Sequence, residues 1–313
     1  MTEASFKDRS GALIAMGVFE ILGSVLMALF SGLMVAALLM TPSGYPLSYG
    51  LISVAMYAAI SIWFLVMGIG TIRGSRWARM LMLSASWFSL LAGITAMLFV
   101  TSVFPKMFSG VEMGKEAIII AAITVGVTLS TIYLLLPLTG ILFYSGRNVR
   151  ATCEHRHPVP SWTERCPLPV LILVLLMFTS ACSGLMQTIT NFIYPFFGTL
   201  LSGTPGLTAW ITNGAVCLFI AAGLYKQKPA AWWGVLVYYA LFMLSNILTF
   251  SRITMADFYR IANYPESLQI QMQQSGWMDE MWFIKIGLLA AVPTLIYLLF
   301  IKRYFEQPEP EEC

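Results

Sequence analysis

At 313 residues the chain is 58% apolar and only 11% charged, with a mean hydropathy of +0.78 and a formal net charge of +3. Soluble domains carry roughly half apolar and a quarter charged residues, so a water-soluble fold is excluded: too little polar surface exists to cover so much apolar chain. The small positive excess is scattered in short clusters, which excludes nucleic acid as a partner because that needs a concentrated basic face.

Crossing a hydrocarbon core of about 30 Å takes roughly 20 apolar residues in a helix. The chain opens with MTEASFKDRS, two basic and two acidic residues, before an apolar run about twice the length of a signal core and with no small-residue cleavage site. This first stretch is therefore expected to remain as a membrane helix. Eight such stretches follow in order: Ala12 to Leu39, Leu51 to Ile72, Trp77 to Thr101, Ala117 to Phe143, Leu168 to Asn191, Leu207 to Tyr225, Ala230 to Phe250 and Met281 to Ile301. Each is a continuous apolar run, which predicts helices and not the alternating strands of a barrel.

Orientation follows from the basic residues at the span ends, which are retained on the cytoplasmic side. Thirteen Lys and Arg fall on the side of both termini, including Arg73, Arg76 and Arg79, then Arg147, Arg150, Arg156 and Arg165. Four fall on the other side, Lys106, Lys115, Arg252 and Arg260, and Lys285 lies inside the last span. Both termini are expected in the cytoplasm of a cell, as in a bacterial inner membrane. The juxtamembrane clusters suit anionic lipid headgroups, and Trp77, Trp162, Trp232 and Trp233 fall where amphipathic rings meet the interface.

The two halves align. SGLM at 31–34 returns at 183–186, Trp77 corresponds to Trp233, and Pro137 in YLLLPLTG to Pro293 in AAVPTLIY. An even number of spans per half gives the halves the same topology, the parallel class of repeat. The expected fold is thus an all-α membrane protein of eight transmembrane helices in two parallel four-helix repeats. Residues 1–150 would form the first repeat, 151–167 a cytoplasmic linker, 168–304 the second repeat and 305–313 an acidic disordered tail. A proline inside a span removes a backbone bond, so the fourth and eighth helices are expected to bend at one depth. Gly68, Gly70, Gly93, Gly126 and Gly223 allow close helix approach. The nineteen Met residues form no recurring M-x-x-M array and read as pliable core filling.

Glu20 is the one carboxylate in the middle of a span, and counting from Ala12 places it roughly 12 Å deep, near the midplane. A group there is protonated, paired or facing a wet cavity; the alternatives are a functional site and a hydrogen bond to a neighbouring Ser or carbonyl. Asn213 and Asn246 lie within spans six and seven, and Gln187 and Asn191 share a helix face; interhelical hydrogen bonds account for these. The linker ATCEHRHPVPSWTERCP holds both histidines and two of five cysteines: Cys153, His155, His157 and Cys166. Four N and S ligands suit tetrahedral zinc, but C-x-H-x-H-x8-C is not a recurrent finger spacing and a proline-broken linker needs no metal. Cys182 and Cys217 read as small core residues. From Ser251 to Glu280 runs the longest outer connection, in which a short surface helix is expected.

No histidine lies in any span and no second carboxylate accompanies Glu20, which argues against intramembrane Ser-His, metal or paired-aspartate chemistry. No phosphate loop, dinucleotide fingerprint or H-E-x-x-H motif occurs. GIGTIRGSRWARMLML at 68–83 resembles a pattern of small bacterial four-helix membrane proteins, Gly-x-Gly, basic turn, Trp-Ala-Arg, over about 20 residues; the resemblance implies a positive-inside hairpin and no activity. The functional expectation is a non-enzymatic accessory, scaffold or subunit protein of a membrane assembly, with membrane-protein partners. The alternative is a transporter or carrier with a site near Glu20 at the interface of the repeats, and a third reading is a lipid-acting enzyme using the His/Cys linker.

Overall fold

A computed structural model of the chain describes residues 6–40, 47–107, 115–262 and 282–306. The described residues are overwhelmingly helical, with almost no sheet. In order come α1 (Ser10–Met40), α2 (Leu47–Ile72), α3 (Arg76–Met107) and α4 (Lys115–Ser130), which continues through a widened turn, Thr131–Leu135, into α5 (Leu136–Tyr144). A short amphipathic α6 (Arg147–Arg156) follows, then α7 (Leu168–Cys182), α8 (Gly203–Tyr225), α9 (Pro229–Phe250), α10 (Met255–Ile261) and α11 (Trp282–Ile301).

Among the described residues seven helical stretches are long and apolar enough to cross a bilayer: Ser10–Met40, Gly50–Ile72, Arg76–Ile94, Ile119–Tyr144, Leu168–Gln187, Gly203–Tyr225 and Pro229–Phe250. They fall on the first seven expected spans. At the position of the eighth lies α11, 20 residues with Pro293 inside it. The long Leu, Ile, Val and Ala runs form helices because a bilayer offers the backbone no partner other than its own i−4 carbonyls.

Two local departures have clear causes. The fifth span ends as an α-helix at Cys182, continues as a tighter 3-10 stretch over Ser183–Thr190 and stops at Asn191, whose φ of 53° ends the helix in the left-handed region. Gln187 and Asn191 thus do not share a continuous helix face. The chain then forms a β-hairpin, β1 (Tyr194–Phe196) and β2 (Thr199–Leu201), antiparallel with Pro195 opposite Leu200. Phe197 and Gly198 both take positive φ, 39° and 99°, as a two-residue hairpin turn requires. In the fourth span the Leu136 N–H bonds back five residues to the Thr131 carbonyl. Pro137 follows directly; it brings no donor and its ring crowds the preceding turn, and widening that turn relieves the crowding.

By packing, the chain falls into two compact units, residues 1–87 with 137–168, and 88–136 with 169–313. These divide the chain at other places than the sequence repeat does. In the first unit α1 crosses α2 at Gly17 and Gly68: a Cβ on Gly17 would sit 2.6 Å from the Gly68 carbonyl oxygen, and one on Gly68 would sit 2.8 Å from that of Gly17. Further along the same pair, the Ser61 hydroxyl donates to the Ser24 carbonyl at 2.9 Å and the Ser31 hydroxyl to that of Val54 at 3.1 Å. Small residues bring the backbones together and hydroxyls fasten them, the usual economy of helix pairs in lipid. In the second unit Trp232, read from sequence as an interfacial ring, is buried and donates its indole N–H to the Leu298 carbonyl at 2.9 Å, fastening α9 to α11.

Candidate functional site

Glu20 is 1% exposed and sits in the first unit, within a hydrogen-bonded chain. The Tyr144 hydroxyl donates to Glu20 Oε1, and the Thr71 and Tyr144 hydroxyls are 3.1 Å apart. The Arg79 Nη1 donates to the Tyr144 carbonyl at 3.3 Å. One polar cluster therefore joins α1, α2, α3 and α5. Glu20 Oε2 and Arg79 Nε are buried and have no hydrogen-bond partner among the described residues.

Thr71 is next to last in α2 and Tyr144 is the last residue of α5, and their hydroxyls form the cluster with the Glu20 carboxylate, while the neighbouring Ile21 packs against Gly68 inside α2. With 31 residues α1 is about 46 Å long, well over the hydrocarbon thickness, so its first turns need not lie inside the core.

Directly beside this cluster folds the segment expected to be a linker. Glu164 receives Arg76 at 2.7 Å and Arg79 at 3.4 Å, with all three side chains largely shielded. The Ser161 N–H also donates to Glu164 Oε2, at 3.2 Å, so one carboxylate closes a short turn and holds two arginines. Arg76 reaches the carbonyls of His157 and Pro158, and Arg156 that of Ile72. The Arg9 N–H donates to Thr152 Oγ1 at 3.0 Å, tying the start of α1 to α6. The result is a folded cap across the ends of the first unit's helices.

Within that cap Cys153 is buried against Leu13 and Val149, and burial pushes its thiol pKa up. Cys166 is buried as well, its thiol pushed up to about 12. His155 packs its ring on Phe6, with centroids 5.8 Å apart, and the His157 Nε2 lies 3.3 Å from the Arg73 carbonyl. Among the described residues no group of three or more His, Cys, Asp or Glu side chains is placed to hold a metal. Cys153 and Cys166 are buried, His155 lies on Phe6 and His157 beside the Arg73 carbonyl, and among the described residues the four are not gathered into one ligand group.

Asn213 and Asn246 belong to the second unit and line one cleft of about 480 Å3. Thr179 and Ser180 of α7, Ser183 at the start of the 3-10 stretch, Asn213 of α8, and Tyr238 and Asn246 of α9 supply its polar groups. Trp210, Phe242 and Met243 form apolar walls. Asn213 is 6% exposed and its Oδ1 accepts from Tyr238 at 3.0 Å and Tyr194 at 3.5 Å. Asn246 donates to the Phe242 carbonyl on its own helix at 2.8 Å, using one of its four hydrogen-bonding positions. Tyr239, also on the wall, bonds Thr294 of α11 at 3.0 Å. The Tyr238 and Phe242 rings stack, 6.0 Å apart at 16°, and also border a second hollow of about 380 Å3 beside the β-hairpin.

The hairpin is pinned to α9 close by. Ser245 Oγ accepts the Phe197 N–H at 2.9 Å and donates to the Pro195 carbonyl, while Thr249 Oγ1 accepts the Gly198 N–H at 3.0 Å. Ser245 and Thr249 are four residues apart on one helix face and grip both sides of the turn.

Sequence reasoning found the two asparagines of the cleft and missed its hydroxyls. A signal was present: Thr179 and Ser183, and Tyr238, Phe242 and Asn246, recur at four-residue spacing. Cys182, read as a core residue, is exposed. The fold and these sites define a multi-pass helical membrane protein in a lipid bilayer. No protein-family model, curated protein or solved structure matches the chain.

Proposed function

We propose that the chain is an accessory or scaffold subunit of a membrane assembly, non-enzymatic, with eight spans including α11, two parallel repeats and both termini in the cytoplasm of the cell membrane. One observation carries this reading: several spans are almost bare. In the most apolar stretch of α1 only 6% of residues are buried, in that of α2 11%, and in that of Ile119–Tyr144 none. The sequence conceals little of these helices within itself, and partner helices packed by dispersion and small-residue contacts would cover them. Gly32 and Gly126 support this, since a Cβ on either would meet nothing within 4 Å.

The basic turns suit anionic headgroups. Lys226 and Lys228 border a slot of about 240 Å3 whose floor includes Gly223, Ala231 and Gly234, room for the upper part of an acyl chain below a phosphate.

Native mass spectrometry of the protein extracted gently from its own membrane tests the proposal. Stoichiometric membrane-protein partners are expected; a species carrying lipid alone would overturn it. The carrier reading at Glu20 rests on the buried Oε2 atom, which has no hydrogen-bond partner among the described residues. Proteoliposomes enclosing a pH-sensitive dye separate it from the scaffold reading. Proton flux that Glu20→Gln abolishes, with the unfolding midpoint unchanged, would favour the carrier.

A further inference from the structure

The cleft of the second unit has an unusual make-up for its place. It lies among α7, α8 and α9, each apolar enough to cross a bilayer, yet Thr179, Ser180, Ser183, Asn213, Tyr238 and Asn246 all face it. Polar side chains in that environment are costly unless hydrogen-bonded. Several already have local partners: Thr179 donates to the Leu176 carbonyl, Ser183 to that of Ser180, and Asn246 to that of Phe242. Each of those hydroxyl oxygens retains acceptor capacity, and each asparagine amide has a second N–H. Among the described residues no Asp, Glu, Lys or Arg lines the cleft.

We infer that this cleft binds an uncharged amphiphile from the bilayer, its oxygen-bearing head held by Asn213, Asn246 and the α7 hydroxyls and its apolar body against Trp210 and Phe242. The volume, about 480 Å3, is that of a small-molecule pocket. Among the described residues of the lining no charge is present to pair a buried phosphate or carboxylate head, which points to a neutral one. Amide and hydroxyl groups match carbonyl or hydroxyl oxygens, and the aromatic walls accept either a flat ring or a chain. Two kinds of membrane molecule carry this chemistry, neutral glycerides and lipid-soluble quinones. Thr179 and Phe178 at the α7 edge are exposed, so entry from the lipid needs no opening of the bundle. This site is independent of the bare α1, α2 and α4 faces on which the subunit proposal rests.

The test uses full-length protein in nanodiscs of dimyristoylphosphatidylcholine, photolabelled with a diacylglycerol bearing a diazirine beside one ester. Adducts are expected to concentrate on peptides containing Thr179–Ser183, Trp210–Asn213 and Tyr238–Asn246. Asn246→Leu should lower labelling there about three- to tenfold, the effect of one lost neutral hydrogen bond, without moving the unfolding midpoint. Thr179→Val, at an exposed position, carries the same test if Asn246→Leu does not fold. Displacement by dioleoylglycerol alone assigns a glyceride, and displacement by decylubiquinone assigns a quinone. Labelling spread in equal proportion over the exposed faces of α1 and α4, indifference to both variants, displacement by neither competitor, or equal displacement by dioleoylphosphatidylglycerol would each overturn the inference.

Discussion

The two compact units handle polar groups in opposite ways. In the first, Arg76, Arg79 and Glu164 are shielded together at the helix ends, and the buried Glu20 is closed over by Tyr144. In the second, uncharged amides and hydroxyls surround a cleft inside the spans. Charges can be shielded where the cap supplies carboxylates and carbonyls to pair them. Neutral groups can be left around open space, because an incompletely bonded hydroxyl costs far less than an unpaired ion. The first arrangement fastens helices; the second leaves valences for something else to fill.

Breaking the cap gives the largest effect. Glu164→Ala removes the partner of two shielded arginines and should destabilise the first unit by about 3 kcal/mol, as loss of one member of a buried pair does. Thermal unfolding in mild detergent measures this, and a loss under about 1 kcal/mol would reduce the cap to a surface feature. Next is the α1 and α2 crossing, where Gly17→Val pushes a side chain into the Gly68 carbonyl and Ile72 and should cost about 1–3 kcal/mol.

A matched pair of tyrosine variants sharpens the contrast between the units. Tyr144→Phe leaves a buried carboxyl with one partner fewer and should cost about 2 kcal/mol. Tyr238→Phe leaves Asn213 accepting from Tyr194 beside an open cleft, and should cost about 1 kcal/mol or less. Equal losses would show that the second cluster is as closed as the first. A helix cap gives a smaller and more local effect. The Thr254 hydroxyl accepts the Asp257 N–H at 3.2 Å, so Thr254→Ala should cost α10 about 1 kcal/mol, visible as faster hydrogen exchange over 255–261 alone.

The buried thiols of the cap give the mildest and most selective readout. With N-ethylmaleimide at pH 7.5, Cys153 and Cys166 should stay unmodified in the folded protein and react once it is denatured in SDS. The pH dependence has a fixed sign. An unfolded thiol loses its proton near pH 9 and the buried Cys166 only near 12, so the stability linked to that proton is intact below pH 9 and lost as pH rises from 9 to 12. Modification of native Cys166 at pH 7.5 would break the picture of a packed cap.

Much of the fold was legible because a bilayer simplifies the reading. Helix positions follow from apolar length alone, and seven of the expected spans are found where the runs lie. Asn213 and Asn246 were visible as polar residues in apolar runs. The widened turn before Pro137 was not, because a proline predicts a disturbance without fixing its form. Glu20 was visible as an ionisable group, but its level along α1 was not. A helix longer than the membrane is thick can sit at several depths, and only its contacts with Thr71 and Tyr144 fix the level relative to its neighbours.

The linker shows where sequence reading stops. A polar, proline-broken segment between apolar runs reads as a solvated connection, and its two histidines and two cysteines offer zinc-type ligands at a spacing no recurrent finger uses. What the sequence determined is the residence in lipid, the helical class and the apolar spans, since these depend on local composition and on a solvent that cannot bond the backbone. What tertiary structure decided is how the scattered polar groups combine. It sends Glu164 to Arg76 and Arg79 across more than eighty residues, closes Tyr144 on Glu20, and brings Ser183, Asn213 and Asn246 to one cleft. Such pairings depend on how helices pack, and apolar spans of similar composition do not encode their neighbours locally.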